Sequence, residues 1–243
     1  MHNMRISEEF RGGILRHTYT IMIFFIVYLA FHYIIGTVMV SRAVVPDLDI
    51  DYSIPYMEIF VIPYIFGFYG FLFLSCLFYV LSDDEFFWRF VYSLIIASSI
   101  AFTIFLLYPT KIVLRPKTMP NTFLSRLMSK YYIRDVEANS LPSAHTFFSW
   151  VISLNLMRDL KNVKVKISAL LMAIAVSLST LFVRQHYVLD VIAGIVVGFV
   201  SFIVASKFAR TSKDFELLVV PPLRYLPVSL TLLYVLLILF LLI

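Results

Sequence analysis

Two short stretches of this sequence carry residue types that could do chemistry: Leu141-Pro-Ser-Ala-His145 and Arg184-Gln-His-Tyr-Val-Leu-Asp190. Each sets a histidine beside a long apolar run. Residues four apart on a helix share a face, so Asp190 can accept the Nδ1–H of His186. That bond fixes the tautomer and leaves Nε2 with an exposed lone pair. It also stabilises the cation formed when Nε2 attacks an electrophile. The bland alternative is a helix-end histidine with a stray acid one turn later, and in a soluble helix it would be preferred. Here Asp190 runs into Val191-Ile-Ala-Gly-Ile-Val-Val-Gly198, and a carboxylate buried in such a run needs a partner.

His145 follows a helix-start signal in which Pro142 sits in the first turn and Ser140 or Ser143 is the cap. A helix N-terminus offers free N–H groups and partial positive charge, which attract phosphate. A histidine there can hand a proton to a leaving oxygen. A capping serine beside an inert interfacial histidine is an equal alternative for this stretch taken alone. Lys111, Arg115, Lys117 and Arg184 add cations: arginine grips phosphate oxygens in a fork, and lysine acts as a point charge. Contact with lipid head groups is the simpler account of Lys117, Arg126 and Lys130. Arg184, at a helix mouth two residues before His186, is harder to dismiss. Two histidines and an aspartate could also hold zinc, but the surrounding cations would repel a dication and suit an anion. His2, His17 and His32 have no acid at helical spacing and receive no role.

The elements that position these residues follow from composition. The chain is 61% hydrophobic and 14% charged, against about 25% charged for a soluble domain. Several runs reach the roughly 20 residues that span a bilayer. The expectation is an all-α, polytopic transmembrane bundle forming a single domain over 1–243. Its spans fall near 17–40, 57–81, 88–108, 143–157, 167–183, 187–206 and 226–243, six core helices and a seventh at the C-terminus. Pro63 kinks the second span or marks its true start. The first run is too long for a signal peptide and should remain as a helix. The lone cysteine, Cys76, excludes an internal disulfide and any multi-cysteine metal site. A net charge of +5 is explained by loop topology and anionic lipid, with no need of nucleic acid.

Lysines and arginines sort by side. With the N-terminus inside, twelve are cytoplasmic and eight extracytoplasmic out of the 20, which favours that orientation. His145 and His186 then both begin helices at the outer face, and Arg115 follows the third span on the same side. Three distant segments deliver polar groups to one membrane face.

These residues resemble the three motifs of the type-2 phosphatidic acid phosphatase superfamily: K-x6-R-P, P-S-G-H and S-R-x5-H-x3-D. Arg115-Pro116 is similar to the end of the first. Pro142-Ser-Ala-His145 is similar to the second, with alanine for glycine. His186 and Asp190 carry the spacing of the third. The resemblance covers about 50–206, the expected catalytic core. Tyr108 stands at the family lysine's position, with Lys111 nearby, and Ser179-Thr180 stand where the third motif has serine and arginine. Asp51-Tyr-Ser-Ile-Pro55, Tyr108-Pro-Thr110 and His186-Tyr-Val-Leu-Asp190 also look like the inositol phosphorylceramide and sphingomyelin synthase branch, which transfers head groups between lipids.

The resemblance implies a metal-independent lipid phosphatase or phosphotransferase without cofactor, acting on a lipid phosphate or pyrophosphate in the bilayer at the outer side of the plasma membrane. His186 would be the nucleophile, Asp190 its orienting acid and His145 the general acid. Arg115, Arg184, Lys111 and the N–H groups near Ser143 would bind phosphate. Transfer to an alcohol acceptor is the second reading. A non-catalytic transporter or scaffold is the third, and it makes both histidines dispensable.

Overall fold

The computed structural model describes residues 2–208 except Glu137, and side chains from residue 12 onward. Among these residues the protein is helical, and isolated β-bridges join Val44 to Thr110 and Lys111 to Ala138. The elements are α1 (His2–Val38), α2 (Asp49–Ser53), α3 (Phe68–Val80), α4 (Asp84–Leu107), α5 (Phe123–Arg134), α6 (Ala144–Asp159), α7 (Val163–Phe182) and α8 (Val188–Phe208). The span expected at 226–243 lies outside the described residues.

Five segments are long and apolar enough to cross a membrane: Gly12–Val38, Glu58–Val80, Asp84–Leu107, Val163–Phe182 and Val188–Phe208. The sixth core helix, α6, has 16 residues, or about 24 Å. It sits inside the bundle against α4, α7 and α8, and its Phe147, Phe148, Val151 and Ile152 are fully buried. Being enclosed by other helices, α6 reads as short and only mildly apolar. The outer helices show the opposite economy. On α8, Ile192, Val196, Val200 and Ile203 face outward, while Asp190, Gly194, Gly198 and Ser201 face inward. Hydrocarbon does not drive apolar faces together, so small residues that allow close approach line the helix contacts.

That rule governs the α6–α8 seam. A Cβ at Gly194 would stand 2.8 Å from the Cβ of Thr146 and 3.0 Å from the Ser143 carbonyl oxygen, and one at Gly198 would stand 2.7 Å from the Cβ of Trp150. The two helices therefore touch backbone to backbone at the ends that carry His145 and His186.

Some local features differ from expectation. The second span is not one helix: a 3-10 turn at Glu58–Phe60 and a π-helical segment at Ile62–Gly67, containing Pro63, precede α3. Helix α4 begins at Asp84, four residues earlier than expected, with Asp84 and Glu85 complementing its N-terminal dipole. The connection from 108 to 143 contains α5, capped by the Thr122 side chain accepting from the Ser125 N–H. Glu58 anchors the start of α5, accepting from Thr122 Oγ1 and from Ser125 Oγ at 2.9 Å.

Candidate active site

The sites expected from sequence converge at one end of the bundle, where α1, α4 and α7 finish and α6 and α8 begin. Chain 183–187 turns sharply there. The N–H groups of Gln185 and His186 donate to the Thr180 carbonyl at 3.0 and 3.2 Å, and Arg184 adopts φ 55°. This left-handed residue reverses the chain so that His186 meets the N-terminus of α8.

Asp190 is fully buried, 0% exposed. Its Oδ2 meets His186 Nδ1 at 3.2 Å and accepts the Tyr187 N–H at 3.0 Å. Its backbone carbonyl accepts the Ser143 N–H at 3.0 Å. One residue thus orients the His186 ring, closes the first turn of α8 and ties α8 to the start of α6. Tyr187 is held in turn by the Val113 N–H donating to its hydroxyl at 3.0 Å. Burial, more than any neighbouring charge, pushes the Tyr187 phenol up to about 12, so it stays neutral.

The start of α6 is fixed from the other side. Thr110 Oγ1 accepts from Ser140 Oγ and from the Leu141 N–H, both at 2.8 Å, and its carbonyl accepts the Asn139 N–H at 2.9 Å. Ser143 Oγ caps α6, accepting from the Thr146 N–H at 3.4 Å and from Thr146 Oγ1 at 3.1 Å. His145 then projects from the first turn. Its ring stacks on Tyr64 at 4.4 Å and lies 4.5 Å from Phe68. The π-helical turn supplies Tyr64, and such turns often sit at functional sites. His145 Nε2 lies 3.4 Å from the Tyr131 hydroxyl, and Nδ1 meets no hydrogen-bonding group among the described residues.

The two imidazoles stand 6.1 Å apart, centroid to centroid, at 61°. They share a cavity of about 70 Å³ with Tyr64, Tyr131, Asp135 and Ser140. That separation leaves room for one small tetrahedral group between the rings.

The cations lie in a surrounding layer. Arg115 donates from Nε to Gln185 Oε1 at 2.9 Å, from Nη1 to the Tyr132 carbonyl at 2.9 Å, and from Nη2 to Asp135. Asp135 lines the cavity, so Arg115 is one side chain removed from it. Arg184 Nη1 donates to the Asp51 carbonyl at 3.0 Å, and Asp51 Oδ1 accepts the Val188 N–H at 2.8 Å. Both residues thus fasten the first loop to the start of α8. The Lys111 backbone pairs with Val44, and no described contact joins its side chain to either ring. Ser143 is spent as a helix cap. Among the described residues no group of three or more histidines, cysteines or acids is placed to hold a metal ion.

Sequence reasoning missed three residues. His32 on α1 lines the same cavity. Its carbonyl accepts from Asn139 Nδ2 at 2.7 Å. Asp135 accepts from Gln185 Nε2 at 3.2 Å as well as from Arg115. Tyr131 reaches His145 from α5. A signal for α5 existed: Thr122 is a good cap, and Leu124, Leu127, Met128 and Tyr131 fall on one helical face. No local pattern points to His32.

Fold and site together define a helical membrane protein with a buried His–Asp pair facing a second histidine. A family model described as the PAP2 superfamily matches residues 86–214, just over half of the 243-residue chain, and the protein belongs to that superfamily. Membership makes it a membrane enzyme of the phosphatase or phosphotransferase kind. Neither a curated protein nor a solved structure matches the chain.

Proposed function

We propose that the protein hydrolyses a lipid phosphate or pyrophosphate through a phosphohistidine on His186, at the extracytoplasmic face of the membrane. The observation that carries this reading is the pair of imidazoles 6.1 Å apart, one of them held by a buried carboxylate through Nδ1 alone. Nε2 of His186 attacks phosphorus and forms the P–N bond as the P–O bond to the leaving group breaks. His145 gives its proton to that departing oxygen. It then takes a proton from water, whose oxygen attacks phosphorus and releases His186. Asp190 keeps the His186 tautomer and balances the charge of the phosphorylated ring.

Arg115 has a defined part in this scheme. Its guanidinium holds Asp135 at the cavity wall, so a phosphoryl oxygen competes with that carboxylate for the same fork. Exchange of one anion for the other brings positive charge to the developing transition state without moving the backbone. Arg184, Lys111 and the Ser143 cap act as supports of the loops that frame the site.

The test is a rapid-quench experiment on the purified protein with 32P-labelled lipid phosphates. An acid-labile, base-stable label on the wild type that is absent from His186→Gln is the expected result. A wild-type enzyme that turns over without such a label excludes the covalent step. Adding candidate alcohols in the same assay separates hydrolysis from transfer, since transfer yields a new phospholipid in place of free phosphate.

A further inference from the structure

On its α1 side the histidine cavity shares a wall with a second cavity. Leu29, His32, Tyr131, Asp135 and Val136 form that wall, and the same five residues line the second cavity, of about 130 Å³. The outer cavity lies between α1, α5 and the segment leading into α3. Leu29, Ile65 and Leu127 give it an apolar half. Lys130 and Arg134, exposed on α5, give it a cationic rim. The partition carries a second mark: the Nδ1 atom of His32 is buried and meets no hydrogen-bonding group among the described residues.

We propose that this outer cavity is the port and head-group subsite for an anionic membrane lipid, which passes His32 to reach His186. The proposal rests on the function proposed above and names the way its substrate arrives. Charge and polarity argue for the occupant. Cations alone would suit any phosphate, and an apolar cleft alone would suit any chain. The two side by side, separated from the histidine cavity by a single shared wall, suit an amphiphile with a negative head. Basic residues near a membrane surface attract anionic lipid. Asp135 at the partition is an anion too, but it is paired with Arg115 and accepts from Gln185, so its charge is offset where the head group must pass. His32 adds a polar atom at the narrowest point.

A competing route lies on the other side of α1. An apolar groove of about 570 Å³ between α1 and α4 includes Val27, Phe31, Ser98 and Phe102. It has no cation, and it meets the histidine cavity only through Tyr28.

The experiment compares two substrates and two blockages in nanodiscs. The substrates are dioleoyl phosphatidic acid and water-soluble p-nitrophenyl phosphate. Lys130→Gln/Arg134→Gln changes exposed side chains only and should raise the KM for the lipid about thirtyfold with kcat unchanged, two near-surface cations being lost. Hydrolysis of the soluble ester should not change. Leu127→Trp should raise the lipid KM also, and Ser98→Trp should not. An unchanged lipid KM in the first two variants overturns the proposal, as does an equal loss for both substrates. A rise confined to Ser98→Trp moves the route to the α1–α4 groove. Binding of phosphatidic acid to the His186→Gln protein is read separately from turnover. If the wild type cleaves neither substrate, the proposed function fails while the port stands or falls on that binding: loss in Lys130→Gln/Arg134→Gln supports it, and retention overturns it.

Discussion

The bundle carries a histidine–aspartate pair at each end, and the two are built in opposite senses. At one end His17 Nε2 meets Asp84 at 2.9 Å and Nδ1 meets the Val80 carbonyl at 3.1 Å, while the ring stacks on Phe87 at 3.7 Å. Both nitrogens are taken. The ring is 2% exposed and its acid 57% exposed, and Arg16 also donates to that acid. At the other end the acid is sealed, with Asp190 at 0% and His186 at 9%, and among the described residues only Nδ1 of the ring is engaged. A solvated carboxylate is screened and exerts little pull. A buried one acts through a low dielectric and holds its ring firmly. The His17 pair hides its ring and engages both nitrogens, whereas the His186 pair hides its acid and holds its ring through Nδ1.

The sharpest way to break this contrast is to replace each ring by an amide. His186→Gln should lower lipid-phosphate turnover by about 10^4-fold or more, the scale on which loss of a nucleophile is felt. His17→Gln should leave turnover unchanged and lower thermal stability, because the amide keeps one hydrogen bond and loses the stack on Phe87. Phosphate release and a melting curve on both proteins decide the matter. A large activity loss in His17→Gln would mean that the two ends do not differ in kind.

The same contrast explains what was legible in the sequence. His186 and Asp190 lie one turn apart, so helical spacing alone paired them. The His17 partner is Asp84, 67 positions away, and no spacing rule reaches that far. His32 is brought to the cavity by close packing of the end of α1: a Cβ at Gly36 would stand 2.7 Å from Asn139 Nδ2 and from Val136 Cγ2. Five segments of crossing length are readable because hydropathy is a local property. Helix α5 escapes a hydropathy reading because it is only 12 residues long and carries a basic stripe, Arg126, Lys130 and Arg134, opposite its apolar face. The cations were read as phosphate ligands from type and proximity. In the structure Arg115 bonds to Asp135, Gln185 and the Tyr132 carbonyl and Arg184 to the Asp51 carbonyl, partners from distant parts of the chain.

A smaller effect tests how the reactive end is held. Gly194 lets α8 touch α6 beside Ser143 and Thr146, whereas nothing lies within 4 Å of a Cβ at Gly70. Gly194→Ala should force the two helix starts apart by a fraction of an ångström or more. Displacement on the ångström scale costs about 10^2-fold in a positioned reaction, so kcat should fall by that order while Gly70→Ala has no effect. The Asp190 carbonyl to Ser143 N–H bond should weaken at the same time, seen as faster hydrogen exchange at Ser143. A normal rate in Gly194→Ala would show that the imidazole spacing tolerates movement of the seam.

The least effect on chemistry, with a large effect on stability, belongs to the buried ion pair at the His17 end. Arg89 and Asp159 are 0% and 1% exposed at their side chains. Arg89 Nη2 donates to Asp159 Oδ1, and the Tyr79 hydroxyl donates to Oδ2 at 2.9 Å. The pair clamps the far end of α6 to α4, at the end of α6 opposite His145. Arg89→Met leaves a carboxylate buried without its countercharge, which should cost about 3–5 kcal/mol. Adding Asp159→Leu removes the orphaned charge and should restore most of that loss, since two apolar side chains fill the space without desolvating ions. Because the histidine end keeps its own tethers through Thr110, Asp190 and Tyr187, turnover per folded molecule should stay at the wild-type level in both variants. A fall in turnover without loss of stability would mean that the far end of α6 governs the placement of His145, and that the two ends of the bundle work as one.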